Sequence, residues 1–139
     1  MAETLEELQR RYPGAACSSF GDSRELSDRL LSLILSGKKV ATCSALRDHD
    51  ATDGPLPQAR DRGIVLSWDD EPVVVTELTE VTTRRFCDVD PDFALAEGEN
   101  ETLEGWRVDH RAFFERNGGF SPEMVLVCER FRVIEVVGE

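Results

Sequence analysis

The sequence predicts an α+β fold in which a small, mostly antiparallel β-barrel is flanked by helices. Three observations point there. Helical patterns sit at the two ends of the order helices, strands, helices, strand, and β-branched runs fill the middle and the C-terminus. The strand runs follow one another directly, without the helix that a parallel crossover needs. Several such strands must hide their edges, and curling into a barrel does so. A chain of 139 residues suits one domain, 1–139, with residues 1–22 as an N-terminal helical extension.

Residues 3–11 carry Leu5 and Leu8 on one side, with Glu3, Glu6 and Glu7 near the positive end of a helix dipole. Pro13-Gly14 ends that helix, and residues 15–21 read as a loop with at most a short extended piece. The next helix is the clearest local signal. Asp22 is its candidate N-cap, with Glu25 three residues on. Leu26, Leu30, Leu33 and Ile34 form its stripe, and Gly37 fits the left-handed position after its end.

Residues 40–46 read as the first barrel strand. The loop 48–60 follows, with Asp53-Gly54-Pro55 and Pro57 as turn formers. Residues 63–68 and 73–83 read as a hairpin around Asp69-Asp70-Glu71-Pro72. Residues 86–89 fit neither period. Asp90-Pro91 marks a short helix over 91–97, and a longer one starts near Thr102. Its stripe of Leu103, Trp106, His110, Phe113 and Phe114 serves core packing first. Residues 124–137 form a last strand, long enough to bend through the sheet or to split in two.

The net charge of −12 argues against an extended nucleic-acid surface, because that affinity comes from Lys and Arg on phosphates. A small or neutral ligand suits it better. No apolar run approaches the ~20 residues that span a bilayer, and the acidic N-terminus lacks a signal pattern, so a cytoplasmic location is expected. Cys17, Cys43, Cys87 and Cys128 are scattered, and His49 and His110 add no metal-like spacing. Four reduced, mostly buried thiols are expected, with no metal and no cofactor. Cys43 adjoins Thr42, but no histidine lies near it in sequence to activate it.

Gly37-Lys38-Lys39-Val40-Ala41-Thr42, Pro55-Leu56-Pro57 with Asp61, Ala96-Glu97-Gly98-Glu99-Asn100 leading to Thr102-Leu103 and Trp106, and Val127-Cys128-Glu129-Arg130-Phe131 occur in that order. In these elements the chain resembles the ASCH (activating signal cointegrator homology) domain family, from about Leu30 to Val136. The first matches the family's G-x-K-x-x-T. The resemblance implies a PUA-like barrel. Small bacterial members include amidohydrolases that deacetylate N-acetylated cytidine, which implies a catalytic set of Lys39, Thr42 and Glu99. Lys38, Ser44, Trp68, Asn100 and Trp106 are then expected around the substrate, with Trp68 or Trp106 stacking on a base. Where many relatives carry a glycine before the loop aspartate, this chain has Arg60. Where the deacetylating members place a basic residue two positions after the threonine, it has Ser44.

In that scheme Thr42 is the nucleophile, Lys39 its base and Glu99 a proton shuttle. Lysine serves as a base only if its pKa falls from ~10.4, and a plain ion pair with Glu99 would keep it charged. By residue type alone, Lys39 also suits a helix C-terminus, Thr42 a strand and Glu99 an acidic loop. The alternatives are a nucleoside- or short-RNA-binding module and a metal-independent ribonuclease.

Overall fold

The computed structural model describes residues 3–49 and 56–138. Asp53-Gly54-Pro55 of the polar loop lie outside the described residues. Helix α1 (Leu5–Arg11) is closed by a capping box between Thr4 and Glu7, and its buried Leu8 docks on Ile64 and Val75. Strand β1 (Ala16–Ser19) pairs parallel with the later strand β3 (Arg62–Leu66). The loop expected at 15–21 therefore contains a strand, and the supposed extension contributes to the sheet. Its four small residues are all exposed and show no alternation, so only the neighbouring backbone makes it a strand.

Helix α2 (Arg24–Leu35) is capped by Ser23, whose hydroxyl accepts from Leu26 N, and not by Asp22. Asp22 instead accepts from Arg116 and Asn117 across the molecule. Helix and turn are the same; the capping oxygen is one residue later. Gly37 ends the helical region at φ 84°, as its position predicts.

Strand β2 (Ala41–Ala45) is shorter than expected, because Leu46–Asp48 turns into a 3-10 helix. Strands β3 and β4 (Pro72–Arg85) form the predicted hairpin. Phe86–Asp88 is a 3-10 turn, followed by α3 (Pro91–Ala96), capped by Asp90, and α4 (Leu103–Arg116), capped by Thr102. Strand β5 (Val125–Val136) stays in one piece and follows β4 with register shifts at Val75/Thr76 and Leu78/Glu80. Such irregularities bend a strand. The order is β1-β3-β4-β5-β2, antiparallel except for β1 with β3, and the sheet curls into a half-barrel.

One face of β2 and β5 carries Ala41, Cys43, Ala45, Leu126 and Cys128 against Phe86, Phe93, Trp106 and Phe114. Alternation turns Thr42, Ser44, Val127, Glu129 and Phe131 to the other face. On that side Phe131, Val65 and Val74 meet Leu31 and Ile34 of α2. The two faces come together at the outer edge of β2.

Arg60 adopts φ 80°, a left-handed conformation that glycine takes without strain. Its N–H is held by Leu78 O at 2.7 Å, which fixes the turn before β3. The chain thus has a glycine-like backbone shape at Arg60, where the family resemblance leads one to expect a glycine. The thiols are all free, but Cys17 and Cys87 are exposed, so fewer are buried than expected. Among the described residues no helix is long and apolar enough to cross a membrane.

Candidate functional site

Lys39 leaves the α2–β2 junction and turns inward, where it is 1% exposed. A buried ammonium must be paired and hydrogen-bonded. Here Nζ donates to Ala41 O (2.9 Å), Glu97 Oε1 (3.2 Å), Glu99 Oε2 (3.0 Å) and, more distantly, Glu97 O (3.4 Å). It also lies 5.9 Å from the centre of the Phe20 ring, which belongs to the α2 side of the sheet. Lys39 therefore sits where both faces meet, at the open edge of the sheet.

The acidic segment reaches this edge because α3 ends there. Val40 N donates to Ala96 O (2.9 Å). Gly98 has φ 77°, and a Cβ on it would stand 2.5 Å from Lys38 O. Only glycine lets the two backbones come this close. Glu97 and Glu99 then diverge on either side of the turn. Glu97 goes to the interior, where Oε2 accepts from Trp106 Nε1 at 2.8 Å, and Oε1 lies 3.4 Å from His110 Nε2. Glu99 stays nearer the surface, with its side chain 12% exposed, and its carbonyl accepts from Arg29 of α2 (3.0 Å).

Burial alone would lower the Lys39 pKa, but the charges of Glu97 and Glu99 outweigh it and the net shift is upward. Burial likewise opposes ionisation of Glu97, and Lys39 and His110 overcome it, so its carboxyl is held below the usual range. The charge state of His110 follows from its contacts. Nδ1 faces Trp106 O at 2.9 Å and Nε2 faces the Glu97 carboxylate. Both partners are acceptors, so the imidazolium satisfies both. Burial works against this, but the bond and charge of Glu97 raise the His110 pKa overall. Its contribution to stability is full below the unfolded value of ~6.5 and is lost as pH rises through the higher folded value. NMR titration of the His110 ring protons is expected to give a midpoint above that of an unfolded peptide, and Glu97→Gln to bring it down.

Cys43, Glu97 and His110 place their ligating atoms within 4.8 Å of one another. The donor set suits a cation poorly. An ammonium and an indole N–H already occupy the Glu97 oxygens, and burial followed by the Glu97 charge raises the Cys43 thiol well above its ordinary pKa. Glu97 instead gathers Lys39, Trp106 and His110 around its two oxygens. His110 is the histidine that sequence does not place beside Cys43; it arrives from α4, four residues after Trp106.

Of the predicted set, the fold brings Lys39 and Glu99 into contact. Thr42 directly follows Ala41 on β2, half-buried, opposite Glu129 of β5. Among the described residues no side-chain hydrogen bond joins Thr42 to the Lys39 cluster. Burial, then the charge of Asp61, pushes the Glu129 carboxyl up. Lys38 is exposed. Asn100 donates to Asp109 (2.8 Å) and keeps a buried, unpartnered Oδ1. Ser44 pairs with His49 at 2.7 Å.

One aromatic expectation is corrected. Trp106 is fully buried, with Phe86 stacked at 5.2 Å and His110 at 4.3 Å, so no ring face is open to a base. Trp68 is 41% exposed in the β3–β4 turn. Asp69 beside it pairs with Arg24, tying that turn to the start of α2, whereas Lys39 follows that helix's end. A shallow depression of about 300 Å³ lies against the Lys39 stem, lined by Ile34, Gly37, Val40 and Phe131. Neither carboxylate lines it.

The model of the ASCH domain matches residues 16–135. The chain belongs to the ASCH domain family. The match begins at β1, so this ASCH domain includes a strand that the motifs from Leu30 onward do not reach. Protein EF3133 from Enterococcus faecalis V583 is 30% identical, with a TM-score of 0.83 over 96% of this chain and 92% of its own. An ASCH domain from Lactobacillus crispatus JV V101 is 32% identical, with a TM-score of 0.78 over 91% of this chain and 84% of its own. Among curated proteins none matches. The family match places the junction Gly37–Thr42 and the segment Ala96–Asn100 within one ASCH fold, and in this fold they touch.

Proposed function

We propose that this ASCH domain is a nucleoside-directed amidohydrolase that removes an acyl group from an exocyclic amine, as in N4-acetylcytidine. The observation that carries this reading is the 3.0 Å contact between Lys39 Nζ and Glu99 Oε2 at the sheet edge, backed by buried Glu97. Family resemblance singles out the same lysine and glutamate. The net charge of −12 favours a small acylated nucleoside over a long RNA.

The geometry alters the roles. Lys39 is not the base: between two carboxylates it keeps its proton. It is a fixed positive charge, suited to the oxyanion that forms when a hydroxyl of β2 attacks the acyl carbon. Glu99, the less buried carboxylate, takes a proton during attack and returns one to the departing amine. The C–N bond breaks, the amine leaves neutral, and water then releases the acyl group as a carboxylic acid.

Incubation of purified protein with N4-acetylcytidine, followed by chromatography, is expected to yield cytidine and acetate, with turnover lost in Lys39→Ala. Absence of cytidine, or full turnover by Lys39→Ala, overturns the proposal.

A further inference from the structure

Ser44 and His49 make a contact that neither the Lys39 cluster nor the family's catalytic set uses. Ser44 Oγ and His49 Nε2 are 2.7 Å apart and partly buried. Ser44 lies on the face of β2 that it shares with Thr42, two residues along, which on a strand is roughly 6–7 Å. The 3-10 turn Leu46–Asp48 reverses the chain, and His49 N closes it on Leu46 O (2.9 Å). Arg47 anchors the same turn by donating to Gly119 O (2.7 Å) after α4. The imidazole is therefore carried back over the strand by a turn held at both ends.

A hydroxyl within hydrogen-bond reach of an imidazole nitrogen is the minimum arrangement for a nucleophile with its own base. Thr42 has no such neighbour among the described residues, and the amine once expected to serve it is held by two carboxylates.

We infer that Ser44, with His49 as its base, is a second acyl-accepting nucleophile of this chain, separate from the Lys39–Glu99 pair and acting on short acyl amides and esters. The inference goes beyond the amidohydrolase reading and uses neither Lys39 nor Glu99. With His49 protonated at Nδ1, Nε2 accepts the Ser44 proton as Oγ bonds to the acyl carbon. The bond from that carbon to the leaving nitrogen or oxygen then breaks. Its electron pair goes with the leaving group, which takes the proton from Nε2. Water, deprotonated by the same nitrogen, displaces Oγ and frees the acid.

The test uses p-nitrophenyl acetate, so that it does not depend on recognition of a nucleoside. After brief mixing and acid quench, tryptic peptides are sequenced by fragment-ion mass spectrometry. Cleavage at Lys39 and Arg47 yields Val40–Arg47, which holds Thr42, Cys43 and Ser44 together, and fragment ions separate them. One acetyl group on Ser44 is expected. It is absent in Ser44→Ala and forms about 100-fold or more slowly in His49→Gln, with part of the rate restored by added imidazole. Circular dichroism establishes that both variants are folded, and the wild-type labelling site decides the matter without them. Acetyl on Thr42 or Cys43, or no acetyl on the peptide, overturns the inference. Deacetylation of N4-acetylcytidine with Ser44 unlabelled would sink the dyad and keep the amidohydrolase. Acetylated Ser44 without nucleoside turnover would do the reverse.

Discussion

Replacing Glu97 by alanine is expected to destabilise the fold by about 3–5 kcal/mol, the range for breaking a buried ion pair by removing one partner. The loss has three sources in the structure. Lys39, 1% exposed, keeps only Glu99 as a charged partner. Trp106 Nε1, fully buried, loses its acceptor. The His110 imidazolium loses the carboxylate that holds its charge. An orphaned buried donor alone costs about 1–3 kcal/mol, so these losses overlap within the total. Urea denaturation at neutral pH measures it. Because the two charges support each other, Lys39→Met in the Glu97→Gln background is expected to cost far less than Lys39→Met alone. A loss under about 1 kcal/mol for Glu97→Ala, or simple additivity in the double variant, would show that the cluster does not hold the fold.

Glu99→Gln is expected to separate function from stability. Deacylation of N4-acetylcytidine should fall by about 10²–10⁴ in kcat/KM, the usual contribution of a general acid–base group. Stability should change by less than about 1 kcal/mol, since Lys39 keeps Glu97 and the amide still accepts a hydrogen bond. Lys39→Met should lose both activity and stability, because the fixed charge and the partner of Glu97 disappear together. Steady-state kinetics beside thermal unfolding reads both quantities. Unchanged kinetics in Glu99→Gln would remove the carboxylate from the reaction, and unfolding would make it a structural partner like Glu97.

Much of the architecture was readable along the chain. The Leu26–Ile34 stripe, the Asp90-Pro91 start and the valine-rich runs each report local periodicity or backbone preference, which neighbouring residues alone impose. Strand β1 was not readable, because four exposed small residues acquire their pairing from β3. The cap of α2 slipped by one residue because Asp22 and Ser23 are both good caps, and the choice lay with Arg116, 94 positions away.

The sequence by itself determined the fold class and the family motifs, and the family resemblance implied that Lys39 meets the acidic segment. Only the tertiary structure decided the chemistry of that meeting. It took Glu97 and Trp106 into the core, gave Lys39 two carboxylates and hence a retained proton, and set His110 against Glu97 and His49 against Ser44. The physical reason is that protonation and pairing depend on burial and on charges a few ångströms away. Those distances arise from side chains up to 60 positions apart, as for Lys39 and Glu99, and no local pattern encodes them.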